Sequence, residues 1–218
     1  MSSSQDNSDN EALAGARERI DALDAQIQAL IAERAGVALD VARIKAERQR
    51  TDFYRPEREA DVLRRVAERN DGPLDDATIM RLMREVMSAC LALESPLKVA
   101  YLGPEGTYTQ AAVYKHFGHS VRAMPLPAID EIFREVEAGN ADFGVVPVEN
   151  STEGVVSHTL DQLVGSSLQI CGEVALAVHH HLLSRAADLT GVKRVVAHAQ
   201  SLAQCRKWLD RQLPGVVR

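Results

Sequence analysis

The chain has 218 residues, of which 45% are hydrophobic and 26% charged, and its formal net charge is −6. These proportions are typical of packed cores, and the acidic balance excludes a broad basic surface for nonspecific binding of nucleic acid or anionic membrane. No apolar run approaches the ~20 residues needed to span a bilayer, so we expect a soluble, cytoplasmic protein. The three cysteines are widely spaced, which indicates a reducing compartment rather than a disulfide framework.

A long helix is predicted near the start of the chain. Residues 1–10 are polar and lack the parts of a signal peptide, so we expect a disordered tail there. The capping box formed by Ser8 and Glu11 should start a helix of roughly 50 Å that continues without proline to Lys45. Its apolar residues alternate at spacings of three and four, as in a coiled-coil seam. The seam residues are Leu13, Ala16, Ile20, Leu23, Ile27, Leu30, Val37, Val41 and Ile44.

Two shorter helices follow. Pro56 can open the first, which should continue to about Arg69, and Asp75 can cap the second, which should end near Ser95. A helix as long as the first cannot be buried by two short ones alone. We therefore predict that residues 11–95 form a three-helix domain that builds an intertwined dimer.

From residue 96 onward, short apolar strands alternate with helices. This pattern predicts an α/β domain with a mainly parallel sheet over residues 96–218. The strands are predicted at 98–102, 121–126, 143–148, within 168–183 and at 192–197. The helices are predicted at 110–117, 129–136, 155–164 and 202–209. The last residues resemble the start of another strand, so we expect this domain to be incomplete.

Arg34 occupies a position of the helical seam where an apolar residue is expected. An unpaired buried cation is unfavourable, so Arg34 indicates either an anionic ligand, a device that fixes helix register, or a side chain that reaches solvent. Lys45 lies eleven residues later and returns to within ~20° of Arg34 around the helix. Arg17 points about 100° away from Arg34, so it could join these cations only from the partner helix of an antiparallel dimer.

Several segments of the helical part resemble the all-helical chorismate mutases. They are residues 17–24, 31–34, 44–45 and 54–59. The resemblance implies an intertwined homodimer with two active sites, each completed by an arginine from the other protomer. It implies that Arg17 and Arg34 bind substrate carboxylates and that Lys45 bonds to the ether oxygen. By the same resemblance, Arg58 and Glu59 hold the ring substituents.

The implied reaction, chorismate to prephenate, is a pericyclic rearrangement that requires no nucleophile, metal or redox cofactor, and we expect none. Arginines would hold the dicarboxylate in the compact conformer in which the bonding carbons approach. Lys45 would stabilise the charge that grows on the departing ether oxygen. Positioning and electrostatics would therefore supply the catalysis.

Two residues depart from familiar members of that family. Glu94 aligns where some members have a glutamine that donates to the ether oxygen, and a glutamate donates only when protonated. We therefore expect mutase activity to fall as pH rises, unless Glu94 is simply a solvated residue at a helix end. Cys90 stands where a serine is often found and serves either the substrate site or the core. Arg55 replaces an acidic residue of some members and is left without a role.

Two loops of the α/β part resemble prephenate dehydratase. They are residues 103–109 and 146–154, each directly after a predicted strand. In parallel sheets such loops meet in one crevice, although a glycine-rich loop alone is more often just a turn. The resemblance implies a two-lobed, periplasmic-binding-protein-like fold whose cleft is lined here by Thr107, Asn150, Ser151 and Thr152. The Thr-Arg-Phe motif of that family is absent from these 218 residues, so we expect the dehydratase part to be truncated and inactive.

Other interpretations compete with this one. His179, His180 and His181 are consecutive, and on a strand they cannot all face one metal ion. A noncatalytic sensor of small carboxylates, joined to a helical dimerisation module, is the main alternative. Binding of nucleic acid through the basic residues between Arg43 and Arg50 is disfavoured by the acidic residues among them.

Overall fold

The chain folds into three helices followed by an α/β region, as seen in a computed structural model that describes residues 2–48, 54–151 and 154–218. For residues 2–9 only the backbone is described. The three helices are α1 (Ser2–Glu47), α2 (Pro56–Glu68) and α3 (Asp76–Glu94). The prediction of three helices, the first overlong, is confirmed.

Helix α1 starts earlier than predicted. It begins at Ser2 rather than at Glu11, so the described backbone is helical over the segment for which the sequence predicts a disordered tail. No glycine or proline interrupts residues 2–14, and each residue added to an existing helix gains a backbone hydrogen bond. With 46 residues, α1 is about 69 Å long.

Most of the apolar seam of α1 is uncovered in the single chain. Ile20 is 55% exposed and Leu30 is 64% exposed. The half-buried residues of α1 lie in its last third and include Arg34, Ala38 and Lys45, which face α3. A continuous uncovered apolar stripe is a typical interaction surface.

Local sequence signals explain where α2 and α3 begin. Pro56 opens α2, and Leu63 and Val66 of this helix are buried. Asp75 caps α3, because its Oδ1 accepts a hydrogen bond of 2.6 Å from the backbone N–H of Thr78. This bond lowers the pKa of Asp75 below its ordinary value. Both predicted helix starts are confirmed.

The α/β region is built on a sheet of three parallel strands in the order β2-β1-β3. The strands are β1 (Lys98–Leu102), β2 (Arg122–Leu126) and β3 (Phe143–Val145). Helix α4 (Tyr108–Phe117) connects β1 to β2, and α5 (Ile129–Glu137) connects β2 to β3. The predicted alternation of strands and helices around a parallel sheet is therefore confirmed for this part.

The two faces of β1 pack against different helices, because successive side chains of a strand point to opposite faces. Val99 and Tyr101 are fully buried and pack with Val113 of α4. Ala100 packs on the other face with Ile132 of α5. Helices thus cover both sides of the sheet.

The rest of the chain forms short elements. They are the antiparallel pair β4 (Glu149–Asn150) and β5 (Gly154–Val155), α6 (Ser157–Gly165), a 3-10 turn (Leu189–Gly191) and α7 (Ala199–Gln212). The strand predicted within 168–183 is wrong, since no strand is described there. At 192–197 there is only an isolated parallel bridge between Arg194 and Val217. A strand needs a neighbour that pairs with its backbone over several residues. The described residues provide no such neighbour for 168–183, and at 192–197 the pairing is limited to the bridge with Val217.

No helix in the described ranges combines the length and the apolar character needed to cross a membrane.

The assigned core makes a stability prediction. Val113 is fully buried, whereas Val164 is 90% exposed. Val113→Ala should lower the free energy of unfolding by about 2 kcal/mol, because it removes buried methyl groups and leaves a cavity. Val164→Ala deletes the same methyl groups at a solvent-exposed position and should change the free energy of unfolding by less than about 0.5 kcal/mol. Urea unfolding followed by circular dichroism measures both, and equal shifts would contradict this core.

Candidate active site

A cavity of about 290 Å³ lies where the end of α1, the start of α2 and the end of α3 meet. Six of the residues selected from the sequence line it: Arg34, Lys45, Arg58, Glu59, Cys90 and Glu94. Arg34 and Lys45 share one face of α1, as their spacing predicts. Pro56 starts α2 and thereby holds Arg58 and Glu59 in its first turn. The site is thus assembled from helix ends.

The cavity carries an excess of positive charge. Its cationic side chains are Arg34, Lys45, Arg55 and Arg58, and its carboxylates are Glu59 and Glu94. The formal balance is two positive charges in a partly enclosed space, where the effective dielectric constant is lower than in water. A ligand with two negative charges would neutralise this excess.

Lys45 and Glu94 form the most enclosed polar contact of the cavity. Their Nζ and Oε2 atoms are 3.8 Å apart, and their side chains are only 20% and 7% exposed. Oε2 of Glu94 is buried and has no hydrogen-bond partner among the described residues. Buried polar atoms are rarely left without a partner, so this oxygen is suited to contact a ligand.

Glu59 is held by a residue that sequence analysis did not identify. Its Oε1 accepts a hydrogen bond of 3.3 Å from Nε of Arg84, and the two side chains are 17% and 25% exposed. Arg81 is a similar charged residue on the same helix but is exposed. No motif distinguishes the two arginines, and only the packing of α2 against α3 selects Arg84.

Cys90 is 4% exposed and its sulfur is a free thiol. It both lines the cavity and belongs to the buried face of α3. The two interpretations of this position, substrate site and core, are therefore compatible in the fold.

Arg17 is not part of this cavity. It is exposed on α1, seventeen residues before Arg34 and therefore about 25 Å away along the helix. Within one chain the structure does not bring Arg17 to the other predicted site residues.

The dehydratase-like loops lie at the carboxyl ends of β1 and β3, which are neighbours in the sheet. Thr107 caps α4: its Oγ1 accepts from the backbone N–H of Gln110 at 3.4 Å and donates to the carbonyl of Leu102 at 3.3 Å. Ser151 is exposed in a turn, and Thr152 lies outside the described residues. Thr107 thus has a structural role in addition to any role in binding.

A polar network links these two loops. Oδ1 of Asn150 accepts a hydrogen bond of 3.1 Å from Nε2 of Gln204, a residue of α7. Oε1 of Gln204 lies 2.5 Å from Nε2 of His180, whose ring contacts Tyr108 edge-on at 6.3 Å between centroids. Sequence analysis considered His180 only as a metal ligand and did not select Gln204, because no local motif links either residue to this cleft.

Comparison with known proteins agrees with the division between helices and α/β structure. Residues 16–95 match the family model described as chorismate mutase type II, and residues 99–218 match the one described as prephenate dehydratase.

Longer relatives share both parts. The chain is 58% identical over 215 residues to a bifunctional chorismate mutase/prephenate dehydratase of Pseudomonas aeruginosa, covering 96% of this chain and 59% of the relative. It is 52% identical over 203 residues to one of Neisseria gonorrhoeae, covering 93% and 55%. A prephenate dehydratase of Bacillus subtilis is 38% identical over 124 residues, covering 55% and 44%. The chain thus spans under two thirds of the length of these relatives.

Proposed function

Since the chain belongs to the prephenate dehydratase family and carries a type II chorismate mutase segment ahead of it, we propose that it is a bifunctional enzyme. Residues 11–95 form the mutase domain, which converts chorismate to prephenate. Residues 96–218 belong to the dehydratase domain, which removes water and carbon dioxide from prephenate to give phenylpyruvate on the way to phenylalanine. The change from helices to α/β structure between Glu94 and Lys98 supports this boundary. The free cysteines support a cytoplasmic location.

The excess of two positive charges in the helical cavity is the observation that carries the mutase assignment. Chorismate has two carboxylates, and guanidinium groups bind carboxylates through pairs of hydrogen bonds. Arg34 and the partner's arginine would fix these carboxylates, so that the reacting carbons approach within one bound conformer. The protein needs no cofactor for this step, because the electrons move within the substrate.

Lys45 and Glu94 are proposed to act on the ether oxygen. Both reach the same enclosed part of the cavity, 3.8 Å apart. Negative charge grows on this oxygen as its bond to carbon breaks, so a hydrogen-bond donor there stabilises the transition state more than the substrate. Lys45 donates at any pH at which it is protonated, and Glu94 donates only while it holds a proton.

Arg58, Glu59 and Cys90 are proposed to bind the remaining substituents of the ring. The Glu59 carboxylate is fixed by Arg84 and can accept a hydrogen bond from the substrate hydroxyl. Cys90 provides a soft, weakly polar wall in place of a hydroxyl. These contacts orient the substrate and do not take part in bond making.

Replacement of Lys45 tests the mutase assignment directly. Lys45→Ala should lower kcat/KM for chorismate at least about a hundredfold, because it removes a charged donor to the oxygen that becomes negative. Arg43→Ala is the matched control, since Arg43 is on the same helix, 70% exposed and paired with Asp40. Formation of prephenate is followed by absorbance. If chorismate is not consumed by the wild-type chain but binds, the alternative of a small-carboxylate sensor replaces the enzyme assignment.

The pH profile tests the role of Glu94. Only the protonated acid can donate to the ether oxygen, so mutase kcat, which reports the enzyme–substrate complex, should fall as pH rises. Glu94→Gln donates at every pH and should give a flat kcat profile over the same pH range. A wild-type profile that is already flat would remove Glu94 from the catalytic groups.

The helical part is proposed to form an intertwined homodimer through α1. The support is the uncovered seam of α1, with Leu30 64% exposed, and the position of Arg17 on the same helix, about 25 Å from Arg34. An antiparallel partner helix would cover the seam and bring its own Arg17 to this cavity. The dimer is therefore proposed as a requirement for mutase activity.

Mixing two inactive variants tests this requirement. Arg17→Ala and Lys45→Ala each damage every site in their own homodimers. If Arg17 serves the partner's cavity, a mixed dimer has one intact site, and random exchange should restore about a quarter of the wild-type rate. If Arg17 serves its own chain, both sites of the mixed dimer are damaged and no activity returns. Prephenate formation is measured after subunit exchange, with each variant alone as control.

For the dehydratase part, we propose that the substrate binds in the cleft of a two-lobed, periplasmic-binding-protein-like domain. Thr107, Asn150, Ser151 and Thr152 are proposed to line it. The support is the position of both loops at the carboxyl edge of neighbouring parallel strands and the hydrogen bond between Asn150 and Gln204. Gln204 is added here to the residues that orient prephenate.

A further inference from the structure

Part of the wall of the mutase cavity comes from outside the helical part. Phe117 at the end of α4 and Ser120 and Val121 just before β2 line the cavity together with the helices. Leu97, immediately before β1, lines it as well. The cavity is therefore bounded on one side by the α/β region.

The segment 118–120 is fixed to α3 by side chains of that helix. Glu85 accepts from the backbone N–H of His119 at 3.1 Å and lies 2.8 Å from its Nδ1, and Ser88 accepts from the backbone N–H of Ser120 at 3.3 Å. Burial by itself would raise the pKa of Glu85, but the hydrogen bonds from His119 lower it below its ordinary value. Glu85 is thus a carboxylate at neutral pH and binds two donors of the α/β region.

Gly118 allows the segment 118–120 to approach α3 closely. Its φ is +76°, and a Cβ atom at this position would lie 2.5 Å from Cβ of Ser88. Only glycine combines this backbone conformation with so short an approach. Phe117 directly precedes Gly118, so the contact also determines where the Phe117 ring lies.

Tyr54 connects this wall to the substrate-binding carboxylate. Its ring lies 5.9 Å from that of Phe117 and edge-on to that of Phe143 at 5.3 Å between centroids. Tyr54 and Glu59 both line the cavity. Burial, followed by the charge of Glu59, raises the pKa of Tyr54 well above its ordinary value, so the hydroxyl keeps its proton and can donate to this carboxylate. Glu59 is bound by Arg84, and the hydroxyl of Tyr54, whose ring packs against the α/β core, is available to it as a second donor.

We infer that the α/β region completes the mutase cavity, and that Tyr54 is a positioning residue through which Phe117 and Phe143 orient the Glu59 carboxylate. The inference rests on the proposed mutase function of this cavity. It makes chorismate binding depend on residues of the dehydratase part, which the mutase segment alone does not contain.

Three single variants of the full chain test this role. Tyr54→Phe keeps the ring and removes the hydroxyl, and Phe143→Leu removes the ring that Tyr54 packs against. Each should raise KM for chorismate roughly three- to tenfold, the effect expected when a positioning residue loses one ordinary polar or packing contact. Phe133→Leu is the matched control: Phe133 is a buried residue of α5, the helix that packs on the other face of the sheet through Ile132, and its loss should leave KM within about twofold.

The double variant separates positioning from general loosening. If both residues act through Glu59, Tyr54→Phe combined with Phe143→Leu should raise KM no more than the larger single effect. Effects on KM that multiply, or a KM that is unchanged in both single variants, would overturn the inference. A wild-type chain that does not convert chorismate would overturn the proposed function itself, and the inference with it.

The docking of segment 118–120 onto α3 is measured independently by amide hydrogen exchange. Glu85→Ala should speed exchange at His119 and raise KM, whereas Glu57→Ala, at an exposed position of α2, should do neither. Faster exchange at His119 with an unchanged KM would show that docking occurs without serving the mutase cavity, and this would also overturn the inference.

Discussion

The helical part must accommodate four cationic side chains around one small, half-buried cavity, and the rest of its structure depends on how their charge is balanced. Arg34 and Lys45 occupy one face of α1, and burying them without a counter-charge would destabilise the fold. Glu94 offsets part of this charge at 3.8 Å, and Glu59 is engaged by Arg84. The remaining excess is available to a dianionic ligand, so the same imbalance that limits stability provides binding energy.

The length of α1 is the second constraint. A helix of 46 residues cannot be covered by two short helices, and among its described side chains the half-buried ones lie in its last third. In the proposed dimer, a second copy of the helix would cover the exposed seam and bring Arg17 to the cavity. Dimerisation and completion of the cavity would then be one event, in which apolar burial supplies the free energy that positions a charged side chain.

The α/β region meets the helices at the cavity rather than away from it. Gly118 packs against Ser88, and Tyr54 packs against the rings of the α/β core and lines the cavity together with Glu59. The two regions are thus joined by packing contacts as well as by the connecting segment. Because Phe117 belongs both to the α/β core and to the cavity wall, a change in the packing of α4 is expected to alter the helical cavity.

The sequence alone determined the three helices, the three parallel strands and most residues of the helical cavity. Helical periodicity is local, so the shared face of Arg34 and Lys45, the start of α2 at Pro56 and the cap at Asp75 follow from spacing and chain chemistry. The three parallel strands and the helices α4 and α5 that connect them follow for the same reason.

Tertiary structure decided what depends on contacts between distant segments. It selected Arg84 over Arg81 as the partner of Glu59, linked Gln204 to Asn150, and left residues 168–183 without the strand that their apolar pattern predicts. An apolar sequence pattern indicates only which residues prefer burial. Which neighbour satisfies a side chain or a strand edge is fixed only when the whole chain has packed.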